Sequence, residues 1–117
     1  MSLDNIDQVD SVGIDRKSGA AVLTIADYWD WVSEKQHLLA LQEKLNAYLR
    51  FIEDGQIYGA YPQARGRKLV IDIVGKHLLP PAAAPFLAQA SRAAGHIGVT
   101  IESRHIPDRK RGLDSKA

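Results

Sequence analysis

The sequence predicts an α+β domain: a two-layer sandwich in the order ββαβαβ, with two helices on one face of a four-stranded, mainly antiparallel sheet. Three observations carry this. Residues 9–26 alternate like a strand hairpin, residues 34–54 form one long amphipathic stretch, and alternating segments at 68–75 and 98–103 flank an alanine-rich helical stretch at 82–94. Helices with one apolar stripe and strands with one apolar face bury both most economically as two layers.

The first strand is expected near Val9–Asp15, with Val12 and Ile14 on one face. A turn follows at Asp15-Arg-Lys-Ser-Gly19, where Asp15 and Ser18 can bond nearby backbone and Gly19 tolerates positive φ. Ala20–Ala26 is the second strand and completes the hairpin. In the long helix Leu38, Leu41, Leu45, Tyr48, Leu49 and Ile52 recur at three- and four-residue steps, which places them in one stripe. Ser33 is expected to cap its start, with Gln36 closing a capping box, and Gly55 to end it in the left-handed conformation. The helix should be roughly 30 Å long at ~1.5 Å per residue.

Gly55–Arg67 is longer than the usual connection, so it is expected to be packed by its own aromatic residues or to be functional. In the third strand Leu69, Ile71 and Ile73 share one face, and Val70, Asp72 and Val74 the other. Pro80-Pro81 breaks the chain before the second helix, whose first turn accommodates Pro85 and whose expected stop is Gly95. The last strand should turn Val99 and Ile101 inward. Residues 1–106 read as one domain, with 1–7 a loose lead-in and 107–117 a flexible basic tail.

Composition narrows the function classes. The net charge of +1 gives no global reason to expect nucleic acid, although the charges are segregated. Residues 1–32 carry six aspartates against Arg16 and Lys17, whereas Arg104, Arg109, Lys110, Arg111 and Lys116 face only Asp108 and Asp114 beyond residue 103. No cysteine is present, which removes thiol chemistry and disulfides and fits a reducing cytoplasm. No apolar run reaches the ~20 residues of a membrane span, and the acidic start is unlike a signal peptide, so no membrane association is expected.

Motifs for chemistry are sparse. His37, His77, His96 and His105 show no metal-ligand spacing, and surface positions are expected for them. No serine lies in a GxSxG elbow, and no phosphate loop occurs. Asp27 and Asp30 bracket two aromatics and could pair, an arrangement common on surfaces. No catalytic residue, cofactor or metal is expected, and the reading leans away from an enzyme.

Interaction residues are better marked. Tyr28, Trp29 and Trp31 concentrate both tryptophans before the long helix, where they either seal the core or form a contact surface. Ala40, Ala47 and Phe51 make a weaker apolar strip on the far side of that helix, suited to the second helix or another subunit. Gln42 and Asn46 edge the leucine stripe and are expected to bond each other or the Gly55–Pro62 loop. Tyr58, Tyr61, Arg65, Arg67 and Lys68 form a basic-aromatic cluster that could take phosphate or single-stranded nucleic acid, alongside the Arg104–Arg111 tail.

The run HLLALQEKLNAYLRFIEDGQIYGAYP, preceded by VGIDRKSGAAVLTIADYWDW and followed by KLVIDIV, resembles a family of short bacterial proteins of unknown function. The resemblance covers about residues 5–104 and is densest at 38–62; the Pro/Ala-rich second helix and basic tail depart from it. It implies a bacterial cytoplasmic setting and supplies no activity or site residue. The functional expectation is a small non-enzymatic protein-interaction domain binding a partner or a second copy of itself. The alternative is a weak nucleic-acid or phosphate binder.

Overall fold

In a computed structural model of the chain, residues 11–106 are described. Val9, Asp10, the expected lead-in at 1–7 and the expected tail at 107–117 lie outside the described residues. The elements are β1 (Ser11–Ile14), β2 (Ala21–Asp27), α1 (Glu34–Glu53), α2 (Gln56–Ala60), a 3-10 turn (Pro62–Ala64), β3 (Leu69–Gly75), α3 (Ala83–Gly95) and β4 (Val99–His105). The α+β class and the four-stranded sheet stand, and the long connection after Gly55 adds a third, short helix to the expected order.

The sheet is mixed, which corrects the expectation of mainly antiparallel pairing. Its order is β1-β2-β3-β4; only β1–β2 is antiparallel, while β2–β3 and β3–β4 are parallel. The reason is the connections. A helix lying along a sheet returns the chain to the edge where the previous strand began, so the next strand repeats its direction. Here α1 with its sequel joins β2 to β3, and α3 joins β3 to β4. Right-handed crossovers that step the same way across a sheet put their helices on the same face.

That face is the core. Ala21, Leu23 and Ile25 of β2 lie opposite Leu69, Ile71 and Ile73 of β3 in register, and all six are buried. Leu41, Leu45, Tyr48 and Ile52 of α1, with Ile57, Ala64, Ala94 and Val99, complete the cluster. Tyr48 also satisfies its hydroxyl, which donates to the Thr24 carbonyl at 2.8 Å. The opposite face, with Val22, Thr24, Val70 and Asp72, carries no described helix.

The punctuation follows local chemistry. The β1–β2 turn is held by Ser18 N–H and Oγ donating to the Asp15 carboxylate at 3.1 and 2.6 Å, with Gly19 at φ 77°. Those bonds hold the Asp15 carboxyl below its ordinary value. Gly55 ends α1 at φ 78°, and α3 runs through Gly95 so that Gly98, at φ 76°, takes the left-handed role instead. Ser33 occupies the position before α1, but its side chain makes no capping bond; its carbonyl accepts from His37 N–H at 3.0 Å.

Candidate functional site

The β2 strand ends at Asp27, whose alternation phase points its carboxylate to the helix side, where it is buried. Facing it is His37, one turn into α1 and only 1% exposed, which overturns the expectation of a surface histidine. His37 Nε2 lies 2.7 and 2.6 Å from the two Asp27 oxygens, and Nδ1 lies 2.8 Å from the Asp30 carbonyl oxygen. A carbonyl can only accept, so Nδ1 carries a proton and donates. One further proton is then shared between Nε2 and Asp27. Burial raises the Asp27 pKa; the His37 hydrogen bond and charge, the Trp29 N–H and the charge of His77 act in the opposite direction.

The tryptophans close around this pair. Trp31 stacks on the imidazole with centroids 3.5 Å apart and planes 14° apart, and Trp29 meets it tilted at 5.6 Å. Trp29 N–H donates to Asp27 Oδ1 at 3.2 Å, while Asp30 Oδ1 accepts from Val32 N–H at 3.1 Å. With both ring nitrogens engaged and solvent excluded, His37 offers no free atom to a substrate. The constellation is a clamp that ties the β2–α1 loop to the start of α1. Asp27 and Asp30 therefore do not pair with each other; each holds a different part of this loop.

The neighbouring strand ends are drawn together at Gly75, the register partner of both Asp27 and His105. Lys76 N–H donates to the Asp27 carbonyl at 3.0 Å, and Ile106 N–H to the Gly75 carbonyl at 2.8 Å. A Cβ at Gly75 would sit 3.4 Å from the His77 carbonyl oxygen, so the small residue suits the close approach. This edge, where parallel strands end and their loops begin, is where open α/β sheets commonly hold ligands.

The remaining candidates are dispersed. Tyr28 is exposed beside the clamp, and Trp29 and Trp31 are half-buried in it. Ala40, Ala47 and Phe51 are half-buried, with Ala40 and Phe51 packed against the core. Gln42 and Asn46 flank a cavity of about 180 Å³ between α1 and α3, floored by Leu45, Leu49 and Phe86. In the loop after α1, Tyr58 and Tyr61 are half-buried against the core, and the Arg65 guanidinium lies 5.2 Å from the Tyr58 ring centroid. Arg67 ties this loop to the first turn, donating to the carbonyls of Gln63 and Gly19, each at 2.8 Å. Lys68 is exposed. Of the tail, Arg104 is described and pairs with Asp72 at 2.7 Å, which raises its pKa further; Arg109–Arg111 lie outside the described residues.

Among the described residues, no group of three or more His, Cys, Asp and Glu side chains could hold a metal ion, and no helix is long and apolar enough to cross a membrane. A family model described as a family of unknown function (DUF6572) matches residues 1–107. The chain belongs to this family. No curated protein and no solved structure matched it. Sequence reasoning passed over the centre of the clamp, although a signal existed: His37 is in helical phase with Leu41, Lys44, Tyr48 and Ile52, all buried.

Proposed function

We propose that this chain is a non-enzymatic protein-binding domain whose contact surface is the edge formed by the C-terminal ends of β2 and β3. One observation carries the reading. The exposed large apolar side chains among the described residues are Tyr28, Val32, Leu39, Leu78 and Leu79. Four belong to the two loops that leave adjacent strand ends, and the fifth lies in the second turn of α1, which starts at the same edge. Val32 is 89% exposed and Leu78 71%. Apolar side chains gathered at one end are a feature of interaction surfaces, whereas scattered ones carry no such meaning.

The clamp supports the same reading. Holding Tyr28 and Val32 on a loop pinned by Asp27, Asp30 and His37 lowers the entropy lost when a partner binds. The consumed ring nitrogens of His37 argue against a catalytic use of that edge. The absence of cysteine and the resemblance to bacterial proteins fit a bacterial cytoplasmic setting. The occupant is a protein partner, or a second copy of the chain.

The test is paired substitution. Val32→Asp and Leu78→Asp should abolish a stoichiometric complex, heteromeric or homodimeric, while leaving the melting temperature unchanged, because neither side chain is buried. A complex that survives both substitutions, or a chain that stays monomeric and partnerless at its cellular concentration, contradicts the proposal.

A further inference from the structure

The sheet face away from the helices holds a second, chemically different feature. A trough of about 560 Å³ crosses it, lined by residues of β1, β2, β3 and β4. That volume lies within the ~300–1,000 Å³ range of small-molecule sites. Asp72 lies in its wall and is only 6% exposed. Its Oδ2 accepts from Arg104 Nε and Nη2 at 3.0 and 2.7 Å, whereas the buried Oδ1 has no hydrogen-bond partner among the described residues.

Buried carboxylate oxygens are normally hydrogen-bonded, so an orphan acceptor marks a place where a donor belongs. The register sets Thr24, Asp72 and Glu102 in one row across β2, β3 and β4, all lining the trough. Asp15 adds a third carboxylate to the lining, against the single cation Arg104. Gly13 lies opposite Val22 on the same face, one step along the strands from the row, and a Cβ there would meet nothing within 4 Å. Arg104, with its side chain 57% exposed, is a tethered cation that satisfies half of Asp72 and can swing away into solvent.

From this geometry we infer that the trough is a binding site for a small organic cation, an aliphatic primary amine. With Arg104 swung aside, its ammonium group donates to the Asp72 carboxylate, is balanced by Glu102 and has the Thr24 hydroxyl as a further acceptor. An ammonium suits the site because it brings three donors and no acceptor to a wall of oxygen acceptors. The site is independent of the strand-end surface proposed above, so either can fail alone.

The experiment is a titration of the ¹⁵N-labelled full chain with 1,4-diaminobutane at about 150 mM salt, where exposed charges are largely screened. Uncharged 1,4-butanediol is the control. The expected result is saturable shifts at Thr24, Asp72 and Glu102 with the diamine and none with the diol. Asp72→Asn should weaken binding at least tenfold and Glu102→Gln several-fold, while Arg104→Ala should strengthen it by freeing Oδ2. Absence of saturation, equal response to the diol, or unchanged affinity in both Asp72→Asn and Glu102→Gln overturns the inference. Having two carboxylate variants keeps the test decisive if one of them fails to fold.

Discussion

The Asp27 carboxylate, at the end of a strand, and the His37 imidazole, in the first turns of the following helix, hold each other at 2.6 Å with almost no solvent contact. This single relationship determines how the chain leaves the sheet. It also explains why two tryptophans and a solvent-facing tyrosine gather there. Removing the imidazole leaves the buried Asp27 carboxyl without its side-chain partner and opens a cavity under Trp31, so His37→Ala should cost about 3–5 kcal/mol in urea unfolding. Asp27→Asn should cost less, about 1–2 kcal/mol, because the amide can still donate to Nε2 of the tautomer already fixed by Asp30. Equal losses in the two variants would contradict the clamp.

The same pair sets a pH dependence with a definite sign. Burial raises the Asp27 pKa above its ordinary value of 3.8, so the folded chain holds that proton more tightly than the unfolded chain. Its contribution is fully present below 3.8 and is lost as pH rises through the raised folded value. Unfolding free energies of the native chain and Asp27→Asn, measured from pH 3.5 upward, should therefore differ by an amount that shifts against the native chain as pH rises. A shift in its favour would show that the charge of His37 outweighs burial.

Burial along α1 predicts a contrast between two leucines six residues apart. Leu45 is 2% exposed and Leu39 52%. Leu45→Ala should lose about 2–5 kcal/mol, and Leu39→Ala no more than about 0.5 kcal/mol. Thermal or urea denaturation of both variants checks this directly.

Gly55 isolates backbone strain from packing. A Cβ at this position would meet nothing within 4 Å, yet φ is 78°. Gly55→Ala should thus destabilise by about 1 kcal/mol through the left-handed conformation alone. A neutral substitution would mean that the end of α1 rearranges.

Much of this architecture was legible because periodicity reports burial. The leucine stripe of α1, the faces of β3, the turn at Asp15–Gly19 and the role of Gly55 all follow from residue type and spacing. Strand direction does not, because alternation in β3 is the same whichever way the strand runs. The clue to parallel pairing lay in the helix between β2 and β3. The clamp was hidden by chemistry rather than geometry: His37 and Lys44 hold core positions, but polar residues are discounted when an apolar stripe is traced. Lys44 is fully buried with its Nζ 5.5 Å from the Tyr48 ring centroid. The Asp72–Arg104 pair was illegible for another reason, since it depends on the β3–β4 register.

The strand-end surface is tested most directly by photo-crosslinking in cells, with a photoreactive residue in place of Leu78 and, as a control, in place of Glu53 at the far end of α1. The account predicts one discrete protein adduct from position 78, a partner or a second copy, and none from position 53. Adducts of equal yield from both positions, or from neither, would contradict it.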